Sequence, residues 1–194
     1  MKKIILTLLV LVFCVVGCSK NNSSLYGESK DGKYINERYG FSIDIPEDWE
    51  LNSVEETKEA NVNEDGKELD ENEVEKNIDE YTLRMMFPTK TKDKVIVIKK
   101  YNLVIATTEE VSITVKNSNN LDEFTKEVNE TFNNNKGRIS NKKINGKDTK
   151  VIEYHNSIVY LIKINENKIL NITSSYADES EDKILNMLDS ISFK

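Results

Sequence analysis

Hydrophobic and polar positions fall into three regimes along this chain. Behind Lys2 and Lys3, Ile4 to Val16 is an almost unbroken apolar run of 13 residues. That is short of the roughly 20 residues a helix needs to cross a bilayer, so residues 1–17 read as a cleaved export signal rather than a permanent anchor. A polar, aperiodic stretch follows, with Asn21-Asn22-Ser23-Ser24 and Gly27, and residues 18–33 read as a tether. From Tyr34 the pattern turns periodic, and residues 34–194 are expected to fold as one domain.

In Tyr39 to Pro46, apolar Phe41, Ile43 and Ile45 alternate with Ser42 and Asp44. This predicts a half-buried strand stopped by the proline, with Trp49 as a core plug on the turn beyond. Val95 to Ile98 and Asn102 to Ile105 are short apolar runs, read as strands of ambiguous register, and Val111, Ile113 and Val115 alternate again. Asn120 with Glu123 forms a capping-box pattern opening a helix that carries Leu121, Phe124, Val128 and Phe132 and ends by Gly137. Ile139 to Ile144 and Lys147 to Tyr154 flank Asn145-Gly146, the preferred pair for a type I′ hairpin turn. Ile158 to Ile164 and Lys168 to Thr173 predict a second hairpin. A last helix, capped by Asp178 with Glu181 three residues on, carries Ile184, Leu185 and Leu188 before Ile191-Ser192-Phe193. Hairpin-linked strands with one helix among them and another at the end predict an α+β fold, an antiparallel sheet with helices packed on it.

The opening segment Tyr39-Gly40-Phe41-Ser42-Ile43-Asp44-Ile45-Pro46-Glu47-Asp48-Trp49 resembles the first strand of PsbP-like domains, and Ile184 to Phe193 resembles their closing segment. The resemblance implies the PsbP-like fold, which occurs in a thylakoid-lumen subunit of photosystem II, in a Ran-binding import factor and in bacterial lipoproteins. It implies no catalysis, and no residue of this chain matches a metal-ligand motif of the family.

The exit of the leader, Val15-Val16-Gly17-Cys18, resembles the lipobox of bacterial lipoproteins, which implies a thioether-linked diacylglycerol on Cys18. Two acyl chains hold a protein stably at a membrane. Cys14 leaves with the leader and Cys18 is consumed by lipid, so the mature domain has no thiol for catalysis, a disulfide or a structural zinc site. A Lys- and Asn-rich composition suggests a Gram-positive source, which would place the lipid in the outer leaflet of the cell membrane with the domain on the extracytoplasmic face.

Charge changes the picture further. A formal net charge of -7 over 194 residues excludes a nucleic-acid partner held by overall charge, and a mean hydropathy of -0.55 excludes a multi-spanning membrane protein. Glu47 to Glu80 holds 15 Asp and Glu against Lys58, Lys67 and Lys76. Residues 50–80 are therefore expected to form a solvated acidic insertion, and the rest of the mature chain carries a small positive balance. Just beyond, Arg84, Lys90, Lys92, Lys94, Lys99 and Lys100 stand against Asp93. Either this basic segment faces the acidic one, or it meets anionic lipid or wall polymer.

Two constellations carry candidate chemistry. Asn61, Asn63, Asp65 and Gly66 fall at positions 1, 3, 5 and 6 of an EF-hand-like loop, where oxygen ligands and a sharp bend suit calcium. Position 12 is Asn72, with Glu71 and Glu73 on either side of it. His155 is the only histidine, and alternation places it on the face of Glu153, where the pair is able to hold a metal or share a proton; the plainer reading is a surface residue at a strand end. Met85, Met86 and Phe87 read as core rather than a greasy binding edge. No Gly-x-Ser-x-Gly elbow, His-Glu-x-x-His helix or phosphate loop is present.

The expected function is a membrane-anchored, non-enzymatic binding or accessory module of the cell envelope, with an unidentified envelope protein or polymer as partner and no cofactor. The alternatives are a calcium binder or sensor using the acidic segment, or a hydrolase built on His155.

Overall fold

The computed structural model describes residues 23–63, 65–90, 96–99, 102–105, 109–131 and 137–194. The leader, Cys18, Val95, Phe132 and lysines 92, 94 and 100 lie outside the described residues. Thirteen strands and four α-helices are described. Strands β1 (Glu28–Lys30), β2 (Lys33–Asn36), β3 (Phe41–Asp44) and β13 (Ser192–Phe193) form one antiparallel sheet in the order β1-β2-β3-β13. A second antiparallel sheet runs β4 (Trp49–Leu51), β5 (Glu80–Pro88), β8 (Glu110–Asn117), β12 (Lys168–Ser175), β11 (Ser157–Asn165), β10 (Lys147–Glu153) and β9 (Arg138–Ile144). Strands β6 (Ile96–Lys99) and β7 (Asn102–Ile105) pair with each other, in a register matching Ile96 to Ile105 and Lys99 to Asn102. The α+β expectation holds, as an antiparallel architecture of two main sheets rather than one.

Period-two alternation puts Val111, Ile113 and Val115 on one face of β8, and all three are buried. That face of the large sheet, with Tyr81, Leu83, Tyr160, Ile162, Leu170 and Ile172, packs in one cluster with Tyr34, Phe41 and Ile43 of the small sheet. Helix α4 (Glu181–Asp189) closes this inner layer with Ile184, Met187 and Leu188. The outer face of the large sheet buries Ile152, Val159, Leu161 and Ile169 under helix α3 (Leu121–Thr131), which contributes Phe124 with Leu121 and Val128 at its margin. Apolar area removed from water is worth about 25 cal/mol per Å², so these two layers set where the chain folds.

Several local expectations hold. The Asn120 side chain accepts from the Glu123 amide at 3.1 Å, starting α3. Asn145 and Gly146 both have positive φ, 47° and 80°, and join β9 to β10 in register, as a type I′ turn requires. Trp49 is 5% exposed, a core plug as expected although it opens β4 and pairs with Pro88 rather than lying on the turn, and Met85, Met86 and Phe87 are all buried.

Two expectations are corrected, and a third is sharpened. The tether expected over residues 18–33 does not extend that far: Leu25 and Tyr26 are fully buried and β1 starts at Glu28. An apolar pair flanked by polar residues gave no periodic signal, yet both side chains fill the inner layer. The acidic insertion is ordered: helices α1 (Val54–Ala60) and α2 (Glu71–Asn77) occupy it, each opened by a complete capping box, Ser53 with Glu56 and Asp70 with Glu73. Dense charge masks short helices because the carboxylates that look merely solvated are satisfying first-turn amides. Asp178 does not cap the last helix; a 3-10 turn over Asp178–Ser180 precedes α4, which has no side-chain cap bond.

Candidate functional site

Each residue of the loop with calcium-like spacing has a structural position. Asn61 is 3% exposed. Its Nδ2 donates to Thr57 O at 3.1 Å and Thr82 O at 2.7 Å, and its Oδ1 accepts from Thr82 N at 2.9 Å, so the amide is built into the edge of β5. Asn63 Oδ1 accepts from the amides of Asp65 and Lys67, closing a turn that Gly66 completes at φ 71°. Glu71 Oε2 accepts from Leu25 N at 2.6 Å. Glu73 accepts from Asp70 N as the return bond of its capping box. The five residues are thus distributed over a buried helix C-cap, a turn and a helix start. Among the described residues no group of three or more His, Cys, Asp and Glu is placed to hold a metal ion.

His155 and Glu153 are not brought together as a pair on one strand face. β10 ends at Glu153, and His155 sits exposed on the bend that leads to β11. Glu153 instead accepts from Arg138 of the neighbouring strand, its Nε at 2.9 Å. Arg84, the first member of the basic segment, is also displaced from the surface: it is 6% exposed, donates to Asn52 Oδ1 at 3.3 Å and lies 5.9 Å from the Tyr34 ring centre. A register shift between Thr82 and Arg84 turns it onto the inner face. Burial pushes its guanidinium pKa down despite the opposing influence of Tyr34, Glu56 and Glu55.

The most tightly coupled group of polar side chains is one the sequence did not indicate. Tyr39 Oη donates to Glu75 Oε1 at 2.6 Å and lies 2.5 Å from Tyr81 Oη. A phenol has one proton, so Tyr81 donates to Tyr39. Lys168 Nζ donates to Tyr81 Oη at 3.3 Å and Asn117 Oδ1 at 2.8 Å and stands 3.6 Å from Glu75. Arg38 Nη2 reaches Glu75 Oε2 at 2.6 Å. Burial alone would raise the Glu75 carboxyl, but the hydrogen bonds from Tyr39 and Arg38 and the charges of Arg38 and Lys168 outweigh it and hold the pKa below the ordinary value. Tyr81 is pushed up to about 12, chiefly by burial. The group joins the β2–β3 turn, α2, β5 and β12, and its proton donors and acceptors are directed at one another. It works as a keystone.

The other notable concavity is an open groove of about 780 Å³ at the β9–β10–β11 end of the large sheet, beside the start of α3. Lys143, Lys150 and Lys163 line it with Asp122 and Asp148; Lys142 also borders it, but its ammonium turns to Asp189 at 2.7 Å and to the Tyr160 ring of the inner face. Asn141 pairs with Lys150, and Lys150 with Leu161, which sets Lys150 on the outer face beside Leu161 of the outer cluster. Lys150 Nζ is 2.6 Å from Asp122 and Lys143 Nζ 3.0 Å from Asp148, while Lys163 Nζ donates to Asn119 O at 2.9 Å.

The chain is similar to cyanobacterial PsbP. The solution structure of that protein (CyanoP) from Synechocystis matches at 11% identity and a TM-score of 0.46, over 93% of this chain and 99% of that one. A crystal structure from Bacteroides thetaiotaomicron matches at 11% identity and a TM-score of 0.44, over 86% of this chain and 49% of that one, so this chain spans about half its length. No protein-family model matches. No curated protein matches either. A likeness of this size assigns no residue a role, and the site rests on the geometry above.

Proposed function

We propose that this protein is a lipid-anchored, extracytoplasmic binding module of the cell envelope without catalytic activity of its own. The observation that carries the reading is the junction between leader and domain. Leu25 is fully buried and its amide is held by Glu71, only seven residues after the lipobox cysteine. Seven residues span at most about 25 Å fully extended. A diacylglycerol on Cys18 would therefore keep the domain close to the membrane surface. The mutually satisfied Arg38–Glu75–Tyr39–Tyr81–Lys168 group supports a positioning role for the buried polar residues rather than turnover.

The test is fractionation and lipid labelling in a bacterial host. Wild-type chain incorporates labelled palmitate and partitions with membranes, and Cys18→Ala does neither. A Cys18→Ala protein that still labels and stays membrane-bound would overturn the anchor.

A further inference from the structure

The geometry points to the lysine groove as a binding site for a phosphate-bearing polyanion. Three ammonium groups, of Lys143 on β9, Lys150 on β10 and Lys163 on β11, border one concavity against two carboxylates, a lining balance of +1 in a chain whose net charge is -7; the ammonium of Lys142 turns away to Asp189. The groove has the local sign that the molecule as a whole lacks. Its openness along the sheet suits an extended chain more than an enclosed small molecule. Lysine supplies compact point charges suited to phosphate oxygens, with no demand for the planar bidentate geometry an arginine would impose.

The lysines are also pre-positioned. Asp122 and Asp148 hold Lys150 and Lys143 at the groove wall, and the Asn119 carbonyl holds Lys163. Asp122 is 82% exposed, so it is able to turn outward when a stronger anion arrives. Placement decides between a bilayer and a polymer. Leu25 and Tyr26 enter the layer shared with the small sheet, whereas the groove opens on the opposite face of the large sheet, beside α3. The described chain thus begins on the side away from the groove, and the ligand is a phosphodiester polymer rather than the headgroups of the anchoring membrane. That choice of source rests on the anchored reading above; the anion site itself does not.

The experiment uses the full-length protein in phosphatidylcholine nanodiscs, with poly(glycerol phosphate) oligomers as probe and inorganic phosphate and phosphatidylglycerol nanodiscs as separate arms. Saturable polymer binding is expected, weakening as salt rises because each lysine–phosphate contact releases a counterion. Lys150→Gln/Lys163→Gln should weaken it by roughly tenfold or more at an unchanged melting temperature, two charge-assisted contacts being lost. Asp122→Asn should tighten it several-fold, a change that loss of folding cannot imitate. The control Lys33→Gln/Lys194→Gln should leave it unchanged. The proposal is overturned by absent polymer binding, by equal loss in the control, by inorganic phosphate binding as tightly as the polymer, or by binding confined to phosphatidylglycerol. Because the affinity is measured on purified protein, a failure here leaves the Cys18 fractionation result standing, and a failed anchor leaves the affinity standing.

Discussion

The acidic segment and the lysine groove are both dense in charge, and they use it differently. Around α1 and α2 the polar groups are committed to the fold: Ser53 and Asp70 cap helices, Glu71 holds the start of the domain, Glu75 joins four elements, and Asn61 is bonded to β5. In the groove each lysine has a single acidic or carbonyl partner on an open wall. Charge density in a sequence therefore does not separate structural from binding residues. Burial and the number of partners do.

The comparison breaks first at Asn61. If the acidic segment were a cation loop, Asn61→Asp would add a ligand and strengthen it. In this fold the same change removes two amide donors and puts a carboxylate into a site that is 3% exposed. A loss of about 3 kcal/mol or more is expected, which for a domain of this size lowers the melting temperature by roughly 10 °C. Thermal unfolding with and without millimolar calcium checks it, and a calcium-dependent rise in the melting temperature of Asn61→Asp would reverse the assignment.

Glu75 comes next. Glu75→Gln keeps the shape but removes the charge facing Arg38 and Lys168, at a cost of about 2 kcal/mol measured by urea unfolding at pH 7. Because the folded pKa of Glu75 lies below its unfolded value, its contribution is fully present above about pH 4.5 and disappears as pH falls through the depressed folded value. Stability of the wild type and Glu75→Gln should therefore converge on acidification. A constant gap down to pH 2 would mean that the charge is not what the keystone uses.

Removing a cap is a smaller perturbation. Asp70→Ala leaves the amides of Asn72 and Glu73 without their acceptor and should cost about 1 kcal/mol, recovered largely by Asp70→Ser. An Asp70→Ala protein as stable as wild type would return α2 to the status of a dispensable insertion.

Much of the fold was legible where one period ran uninterrupted. Phe41 and Ile43, Val111 to Val115, and the Asn145-Gly146 turn each announce their element within a few residues. The two acidic helices were legible in principle, since Ser53-x-x-Glu56 and Asp70-x-x-Glu73 are the same pattern that marked Asn120 and Glu123, but each is only seven residues long and each buries one side chain, Thr57 or Val74. With so narrow a buried stripe, hydrophobic periodicity has nothing to detect. The sites were less legible still. Tyr81 and Lys168 stand 87 positions apart, and the groove needs the registers of two hairpins and the docking of α3 before its lysines become neighbours. Local spacing cannot report what pairing across strands creates.

The smallest expected effect is the sharpest control on the comparison. Lys143 and Asp148 face each other across the β9–β10 hairpin at 3.0 Å, with side chains 73% and 69% exposed. Solvent screens such a pair, and holding two long side chains together costs entropy that offsets most of the Coulomb gain. Lys143→Gln should therefore move stability by less than about 0.5 kcal/mol, half the effect of Asp70→Ala although both residues lie at the surface. A cap satisfies backbone amides that have no other protein partner, whereas a surface ion pair only replaces good hydration with a slightly better contact. If chemical unfolding showed Lys143→Gln to be as costly as the cap deletion, the groove lysines would have to be counted as structural, and the division between the two charged regions would fail.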